Sequence, residues 1–155
     1  MSDGNDTTIF EALRDDHQSQ RTLIDILVDT HGDSDGRREV FGRLHRELAA
    51  HAAAEERYFY VPLMQSDLTQ DKARHSVAEH KELDELVEQL ESYDMSAPQW
   101  VQTARELRDR LLHHLDEEEV EVFPLGGKVL SDDDKTSLAR EYAADMKRHR
   151  EEIAL

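Results

Sequence analysis

The stretch His51-Ala-Ala-Ala-Glu-Glu-Arg-Tyr-Phe-Tyr-Val-Pro62 decides the fold of this chain. A histidine and a carboxylate four positions apart lie on one face of a helix, so His51 and Glu55 can bind one metal ion from a single rigid element. The same spacing returns 63 positions later in His114-Leu-Asp-Glu-Glu118, and Pro124 again follows within two turns. The repetition strengthens a signal that is weak when it occurs once.

Each of these pairs follows another histidine at one fixed interval. His17 precedes His51 by 34 positions, and His80 precedes His114 by the same 34. The chain therefore contains two copies of one unit, His-x33-His-x3-Glu. The six candidate metal ligands of the two units are His17, His51, Glu55, His80, His114 and Glu118.

Composition limits the classes of function. A length of 155 residues suits one domain with a real core, so we predict a single domain over residues 1–155. The net charge of −17 opposes binding to nucleic acid or to anionic membranes and favours attraction of cations. Cysteine is absent, which excludes disulfides, thiolate zinc sites and iron-sulfur clusters. The polar stretch Met1–Asp6 is not followed by an apolar run, so we expect no signal peptide, no transmembrane helix and a cytoplasmic protein.

Apolar residues recur at helical spacing along the whole chain, and no stretch has the alternation of a strand. The predicted helices cover about residues 9–28, 37–60, 70–92, 97–123 and 132–152. Thr7 or Thr8 is predicted to cap the first helix, and Pro62 to end or kink the second. Ser96 and Gln99 are predicted to form a capping box at the start of the fourth helix. Gly126-Gly127 is predicted to break the chain, and Ser131 with Asp134 to cap the fifth helix.

Short connections between long helices favour antiparallel neighbours. We therefore predict an all-α fold, an up-down-up-down four-helix bundle over about residues 9–124 with an additional C-terminal helix over about 132–152. In an antiparallel hairpin, residues equidistant from the turn lie at the same height. Each of the three connections in turn relates two neighbouring histidines of the set in this way. All four histidines are expected at one level of the bundle.

A single histidine on an apolar helix face is more often a hydrogen-bonded core residue than a metal ligand. Four histidines at one level, beside two buried carboxylates, favour metal, because a buried ionised glutamate is costly unless it is paired or bound to a cation. So many donors exceed one coordination sphere, and a glutamate from each repeat can bridge two ions. Nitrogen and oxygen donors without sulfur suit iron or manganese, with zinc as a substitute where iron is lacking.

The remaining histidines are assigned by their positions on the helices. His31 lies before Gly32 at a helix C-terminus, where it complements the helix dipole, and we interpret it as structural. His45, His113 and His149 fall off the apolar stripes and are expected in solvent. His75 lies five positions before His80 and joins the site only if the backbone bulges or the helix starts late. We keep His75 as a seventh candidate metal ligand.

The pattern resembles the hemerythrin-like (HHE cation-binding) domains over about Phe10–Pro124. The resemblance rests on Asp16-His17, His51-Ala-Ala-Ala-Glu55-Glu56, Glu79-His80 and His114-Leu-Asp-Glu-Glu118-Glu119. It implies two iron ions in a non-haem di-iron centre, with or without an oxo or hydroxo bridge between them. In that centre the four histidines would be terminal ligands, and Glu55 and Glu118 would be bridging carboxylates. Members of this family bind oxygen reversibly, sense oxygen or iron, store iron, or react with peroxide or nitric oxide.

The sequence departs from the oxygen-carrying hemerythrins at two positions. Those carriers have a second histidine four before the one that matches His80, and Ser76 occupies that position here. Their last acidic ligand lies five after the final histidine, where this chain offers Glu118 at four and Glu119 at five. We expect either His75 or a water molecule to take the place of that fifth imidazole. The helix after Ser131 lies outside the common core, and we expect it to cover the bundle or to mediate a homodimer.

Three functions fit the predicted site. The first is a protein that binds or senses O2, NO or peroxide in oxygen, iron or oxidative-stress handling. The second is an enzyme that degrades peroxide or another oxidant, with Tyr58, Tyr60 or Tyr142 as candidate proton donor or ligand. The third is a bundle that binds a partner and requires no metal. In the first two, Glu79 and Glu119 are expected to hold imidazole tautomers by hydrogen bonds.

Overall fold

A computed structural model describes residues 7–154, with side chains for residues 7–151. The stretch Met1–Asp6, on which the prediction of no signal peptide rests, lies outside the described residues. The helices are α1 (Ile9–Val28), α2 (Asp35–Glu55), α3 (Val61–Leu63), α4 (Gln70–Ser92), α5 (Pro98–Glu117), α6 (Phe123–Val129) and α7 (Asp132–Ala154). Two π-helical turns, π1 (Glu56–Tyr60) and π2 (Glu118–Val122), join α2 to α3 and α5 to α6. Residues 7–154 contain no strand.

Four long helices form the bundle, and a fifth packs beside them. Helix α1 contacts α2 and α5, and α4 contacts α5. Helix α7 lies against α1 and α2, where Tyr142 and Met146 are buried as predicted. The prediction of an all-α bundle with an additional C-terminal helix is confirmed.

The first helix begins where the sequence indicates. Thr8 is its N-cap, and the Thr8 hydroxyl accepts a hydrogen bond from the Glu11 N–H while the Glu11 carboxylate accepts one from the Thr8 N–H. This reciprocal pair satisfies two N–H groups that have no partner within the helix. Ser131 similarly accepts a hydrogen bond from the Asp134 N–H at the start of α7.

Two predicted boundaries are wrong. Helix α5 begins at Pro98 without a side-chain cap, because the Ser96 N–H and hydroxyl both donate to the Asp94 carboxylate instead. Gly126 and Gly127 do not break the chain but lie inside α6. A Cβ on Gly126 would lie 3.2 Å from the Phe10 ring, so this glycine serves close packing and not termination.

Each helix that carries a His-x3-Glu pair widens into a π turn around its glutamate. The Val61 N–H donates to the Glu56 carbonyl in π1, and the Phe123 N–H donates to the Glu118 carbonyl in π2, each five residues back. The proline that follows, Pro62 or Pro124, has no N–H and cannot continue the regular bonding. Pro62, predicted to end or kink the second helix, does not end it, since the chain widens before it and remains helical to Leu63.

The hydrophobic core consists of two layers separated along the bundle axis. One layer surrounds Leu13, Phe59 and Phe123, and the other surrounds Leu27, Leu90 and Trp100. In α1 and α4, His17 and His80 lie between residues of the two layers along the chain. No helix within residues 7–154 combines the length and apolar character needed to cross a membrane.

Arg37 joins the two turns at one end of the bundle. Its guanidinium donates to the Thr30 hydroxyl at 3.0 Å and to the backbone carbonyls of Thr30 and Met95. The same group stacks on the Trp100 ring at 4.4 Å, although Arg37 is only 2% exposed. Three charge-assisted hydrogen bonds and a cation–π contact therefore hold the α1–α2 turn against the α4–α5 turn.

Replacing Arg37 with alanine should lower the free energy of unfolding by about 2–4 kcal/mol, because it leaves buried carbonyl groups unpaired. Chemical denaturation of the purified variant measures this loss. Arg43→Ala, an exposed arginine on the same helix, is the control. A loss equal to that of the control would show that the two turns are held together without Arg37.

Candidate metal centre

Six side chains converge in the middle of the bundle, one or more from each of its four helices. All are almost fully enclosed by protein, with exposures between 0% and 8%. They are His17 from α1, His51 and Glu55 from α2, His80 from α4, His114 from α5, and Glu118 from the first position of π2. The structure therefore brings together the six residues of the two repeated units, at one level as predicted.

The Nε2 atoms of the imidazoles face the two carboxylates. His17 Nε2 lies 2.9 Å from Glu118 Oε1, and His80 Nε2 lies 3.0 Å from Glu55 Oε1. The within-helix pairs are slightly longer, at 3.4 Å for His51 and Glu55 and 3.6 Å for His114 and Glu118. Each carboxylate thus lies close to imidazoles from more than one helix.

The six residues form two overlapping sets of four. His17 and His51 form one set with both glutamates, and His80 and His114 form the other with the same two glutamates. Within each set one donor atom from every residue lies within 4.8 Å of the others. Because Glu55 and Glu118 belong to both sets, the arrangement suits two ions that share two bridging carboxylates.

Protein hydrogen bonds leave much of this cluster unsatisfied. Although some of these atoms lie close to one another, none of the following forms a hydrogen bond of acceptable geometry with a described residue: His17 Nε2, His51 Nε2, His114 Nε2 and the four carboxylate oxygens of Glu55 and Glu118. Buried polar groups are normally paired, and leaving a carboxylate unpaired is costly. Imidazole nitrogens and carboxylate oxygens are also the donors that iron, manganese and zinc accept. The residues present therefore fit a pair of cations.

The opposite ring nitrogens are all held from outside the cluster. His17 Nδ1 lies 2.7 Å from Glu119 Oε2, and His114 Nδ1 lies 2.9 Å from Glu79 Oε1, so both predicted carboxylate partners are confirmed. Glu56 Oε2 lies 2.9 Å from His80 Nδ1. A carboxylate in this position fixes the proton on Nδ1 and leaves Nε2 free to bind metal.

The partner of His51 comes from the additional helix, which the sequence analysis placed outside the common core. The Tyr142 hydroxyl lies 2.6 Å from His51 Nδ1 and donates its own hydrogen to Asp16. Arg150, also on α7, pairs with Asp16 and with Glu47 of α2. Helix α7 therefore completes the support of the cluster. The sequence placed Tyr142 on the inner stripe of that helix and named it as a candidate proton donor or ligand, but it did not predict the contact with His51.

The charges of the cluster are strongly interdependent. Burial and the neighbouring charge of Glu55 raise the pKa of Glu118 well above its usual range. Burial also acts to raise the pKa of Glu55, but the charge of His51 and the proximity of Glu118 and His17 outweigh it and hold this pKa low. The titration of each carboxyl group therefore depends on the charge of the other.

Contacts with carboxylates raise the pKa of two of the imidazoles. Burial acts to lower the pKa of His17 and of His80, but their contacts with buried carboxylates outweigh it and raise the pKa to about 10 and about 9, respectively. Cations that bind the Nε2 atoms must displace these protons, so binding releases protons to solvent.

The structure does not bring His75 into the cluster. Its side chain is 56% exposed, and its Nε2 atom lies 3.4 Å from Glu79 and 3.3 Å from Glu117 on the outer surface. The backbone of α4 remains α-helical at this point and does not turn the ring inward. Ser76, one position later, is buried but has no imidazole to offer. The second set of four therefore contains two imidazoles and not three.

The other histidines lie away from the centre. His113 is 70% exposed beside Glu117, and His31 is also exposed. His45 and His149 are partly exposed and approach Glu91 and Asp145, respectively.

A cavity of about 390 Å³ runs between α2 and α4 toward the cluster. Three of the four imidazoles, those of His51, His80 and His114, form part of its wall. Most of the remaining wall is apolar and comes from residues such as Leu48, Val77 and Leu111. The cavity also has exposed residues at its wall, so it connects the cluster with solvent.

Comparison with known proteins agrees with this geometry. The family model described as the hemerythrin HHE cation binding domain matches residues 8–126. The chain belongs to this family. The match spans α1 to π2 and includes all six residues of the cluster.

The fold of this hemerythrin HHE domain is also found in a solved structure. A hemerythrin HHE cation binding domain-containing protein from Mycobacterium kansasii superposes with a TM-score of 0.85 over 94% of this chain and 89% of that chain, at 23% sequence identity. The superposition shows the shared fold.

A curated relative, named DNA nickase, comes from Nostoc sp. and is 30% identical over 143 residues. The alignment covers 92% of this chain but only 40% of the relative. The present chain thus spans less than half of that protein.

Replacing Tyr142 with phenylalanine should weaken metal binding about 10- to 100-fold, because His51 loses the hydrogen bond that orients its ring. Competition with a zinc-chelating dye measures the affinity. Tyr93→Phe removes a hydroxyl from a partly exposed tyrosine at the end of α4 and should leave the affinity unchanged. Equal affinities in the two variants would show that α7 does not support the cluster.

Proposed function

We propose that this hemerythrin HHE domain holds two iron ions and uses them to bind or sense a small molecule such as O2, NO or peroxide. The observation that carries the proposal is the pair of overlapping four-residue sets that share Glu55 and Glu118. The donors are nitrogen and oxygen only, which suits iron or manganese over metals that prefer sulfur. Four imidazoles and two carboxylates leave room on two ions for an exogenous ligand.

Some residues of the cluster would bind the cations, and others orient the imidazole rings. Glu55 and Glu118 would supply negative charge that offsets two cations. The four Nε2 atoms would be the remaining protein ligands of these cations. Glu56, Glu79, Glu119 and Tyr142 hold the four Nδ1 atoms, so each ring presents one face to the centre. When bound, iron would supply the redox chemistry that a reaction with a small oxidant needs.

The surroundings of the centre favour a gas or a small oxidant over a large substrate. Apolar layers lie on both sides of the cluster along the bundle axis. The cavity between α2 and α4 gives a small molecule a route from solvent. Buried unpaired donor atoms argue against a partner-binding bundle that requires no metal, because histidines with only a structural role would be hydrogen-bonded at both nitrogens.

A second candidate is an enzyme that degrades peroxide or a related oxidant. Tyr60 favours it, because this residue is 0% exposed and its ring centroid lies 5.7 Å from that of His80. Its hydroxyl group has no hydrogen-bond partner among the described residues. A phenol in that position holds a proton beside the centre, where peroxide chemistry would consume one.

We do not extend DNA nicking to this chain from its relative in Nostoc sp. A net charge of −17 repels a polyanion, and nucleic-acid binding depends on basic side chains that neutralise phosphates. The segment that the two proteins share covers 40% of the relative, so the activity in its name need not reside there.

Iron content and the visible spectrum of protein purified after growth with iron test the proposal. We expect about two irons per chain, as two four-residue sets require, and an absorption band that changes between air and nitrogen. A band that is indifferent to oxygen but altered by peroxide would favour the second candidate. Less than about one-tenth of that iron, with no uptake on reconstitution, would overturn both.

Glu55→Gln and Glu118→Gln should each reduce iron to about one ion per chain or less, because each removes a bridging charge shared by both sets. Elemental analysis of the purified variants measures the loss. Glu88→Gln, an exposed glutamate on α4, is the matched control. Full iron content in both variants would show that the carboxylates are not ligands.

A further inference from the structure

Outside the buried cluster, a second group of histidines and glutamates lies on the surface between α4 and α5. His75 and Glu79 form a His-x3-Glu pair on α4, and His113 and Glu117 form another on α5. This spacing places a histidine and a carboxylate on one face of a helix. Neither pair supplies a ligand to the inner cluster.

The antiparallel packing of α4 and α5 places the two pairs side by side. His75 and Glu117 lie 21 positions before and after Ser96, which is in the connection between the helices. Glu79 and His113 lie 17 positions before and after the same residue. Each histidine is therefore opposite a carboxylate of the other helix, and the contact of His75 with Glu117 follows from this register.

Three of these side chains are spaced as ligands of one metal ion. One donor atom from each of His75, Glu79 and Glu117 lies within 4.8 Å of the other two. His75 Nε2 lies 3.4 Å from Glu79 Oε2 and 3.3 Å from Glu117 Oε1. Ligand atoms of a tetrahedral zinc ion are about 3.3–3.6 Å apart, because each lies about 2.0–2.2 Å from the metal. Both separations from the imidazole fall in this range.

Each of the two carboxylates is held by a second histidine through its other oxygen. His114 Nδ1 lies 2.9 Å from Glu79 Oε1, and His113 Nε2 lies 3.1 Å from Glu117 Oε2. Both glutamate side chains are mostly enclosed, with exposures of 15% and 19%. These contacts leave one oxygen of each carboxylate facing His75. Hydrogen-bonded partners of this kind orient metal ligands, so the three donor atoms are in place before an ion arrives.

The charge of this surface favours a cation. Glu79 and Glu117 contribute two negative charges, and the net charge of the chain, −17, attracts cations to its surface. Arg110 lines a surface cavity with Glu79 and His113, but its guanidinium is paired with Glu82. One imidazole and two carboxylates suit zinc and related divalent transition metals, whereas magnesium and calcium prefer oxygen ligands alone.

We propose that His75, Glu79 and Glu117 form an outer site that binds one divalent transition cation such as zinc, with water in the remaining coordination position. His113 is a positioning residue, because it holds Glu117 with one oxygen toward the ion. The outer site shares no ligand with the inner cluster. The inference therefore goes beyond the proposed function and does not rest on it.

Zinc titration of the original protein and of His75→Ala, followed with a competing chelating dye, tests the outer site. The original protein should show a binding step of about one zinc per chain that weakens more than tenfold in His75→Ala, since a direct ligand is lost. Zinc bound by the inner cluster is common to both proteins and does not affect this difference. His31→Ala removes another exposed histidine and should leave the step unchanged.

Histidine side-chain NMR of the full chain identifies where the zinc binds. Zinc should shift the Nε2 resonance of His75 but not that of His31, and magnesium should shift neither. Glu117→Gln leaves the His75 imidazole in place but removes a charged ligand, so it should strongly reduce the zinc-induced shift of His75. An undiminished shift in Glu117→Gln would show that zinc binds the exposed imidazole alone, which would overturn the outer site.

Two further outcomes would overturn the proposal. An identical zinc titration of the original protein and His75→Ala would exclude His75 as a ligand. Equal weakening in His31→Ala and His75→Ala would indicate unspecific binding to exposed histidines. Failure of the inner cluster to take up iron would overturn the proposed function alone, because the zinc step lost in His75→Ala would still be present.

Discussion

The structure depends on the cost of enclosing two carboxylates in the middle of an apolar bundle. Glu55 and Glu118 are 0% exposed, and each lies beside the other and beside imidazoles from different helices. An isolated buried carboxylate costs several kcal/mol even after the protein relaxes around it. Protons shared within the cluster offset part of that cost, and two cations would offset it more completely. The helices are therefore tied together at mid-height by a charge requirement as well as by hydrophobic packing.

That requirement extends outward through a second ring of polar groups. Four side chains, three of them carboxylates and one a phenol, hold the Nδ1 atoms so that every Nε2 atom faces inward. Arg21 pairs with Glu119, and Arg150 pairs with Asp16, so the ring is itself anchored by arginines. The orientation of an inner imidazole is in this way fixed by a chain of contacts that reaches the surface. Helix α7 belongs to this chain, which gives it a role in the site as well as in the core.

The cluster is covered at both ends of the bundle but accessible from one side, and this difference bears on function. Apolar layers close the cluster at both ends of the bundle, while a cavity between α2 and α4 reaches three of its imidazoles. Ser76 occupies the position at which the oxygen carriers of the family have a further histidine, so the set around His80 and His114 has fewer ligands than theirs. A cluster with one imidazole fewer and a cavity at its side has room for a small molecule. The acidic surface that surrounds it attracts cations and repels polyanions.

The sequence by itself determined the helical class, the bundle, the family resemblance and the six inner residues. It could do so because the His-x3-Glu spacing matches one helical turn and because equal loop distances place histidines at one height. It also predicted Glu79 and Glu119 as partners of imidazoles. Only the tertiary structure decided which residues complete the outer ring, since Tyr142 reaches His51 across 91 positions of chain. Spacing within one helix carries no information about a contact made by another.

The same distinction explains the errors. His75 is excluded because α4 stays regular there. Gly126 lies within a helix and not at its end, and the nearby Phe10 ring favours a small residue at this position. The widened turns after Glu55 and around Glu118 were invisible to a pattern with a period of 3.6 residues. Local periodicity fixes which side of a helix faces inward. The packing of separate helices decides where the cavity between α2 and α4 lies and which residues line it.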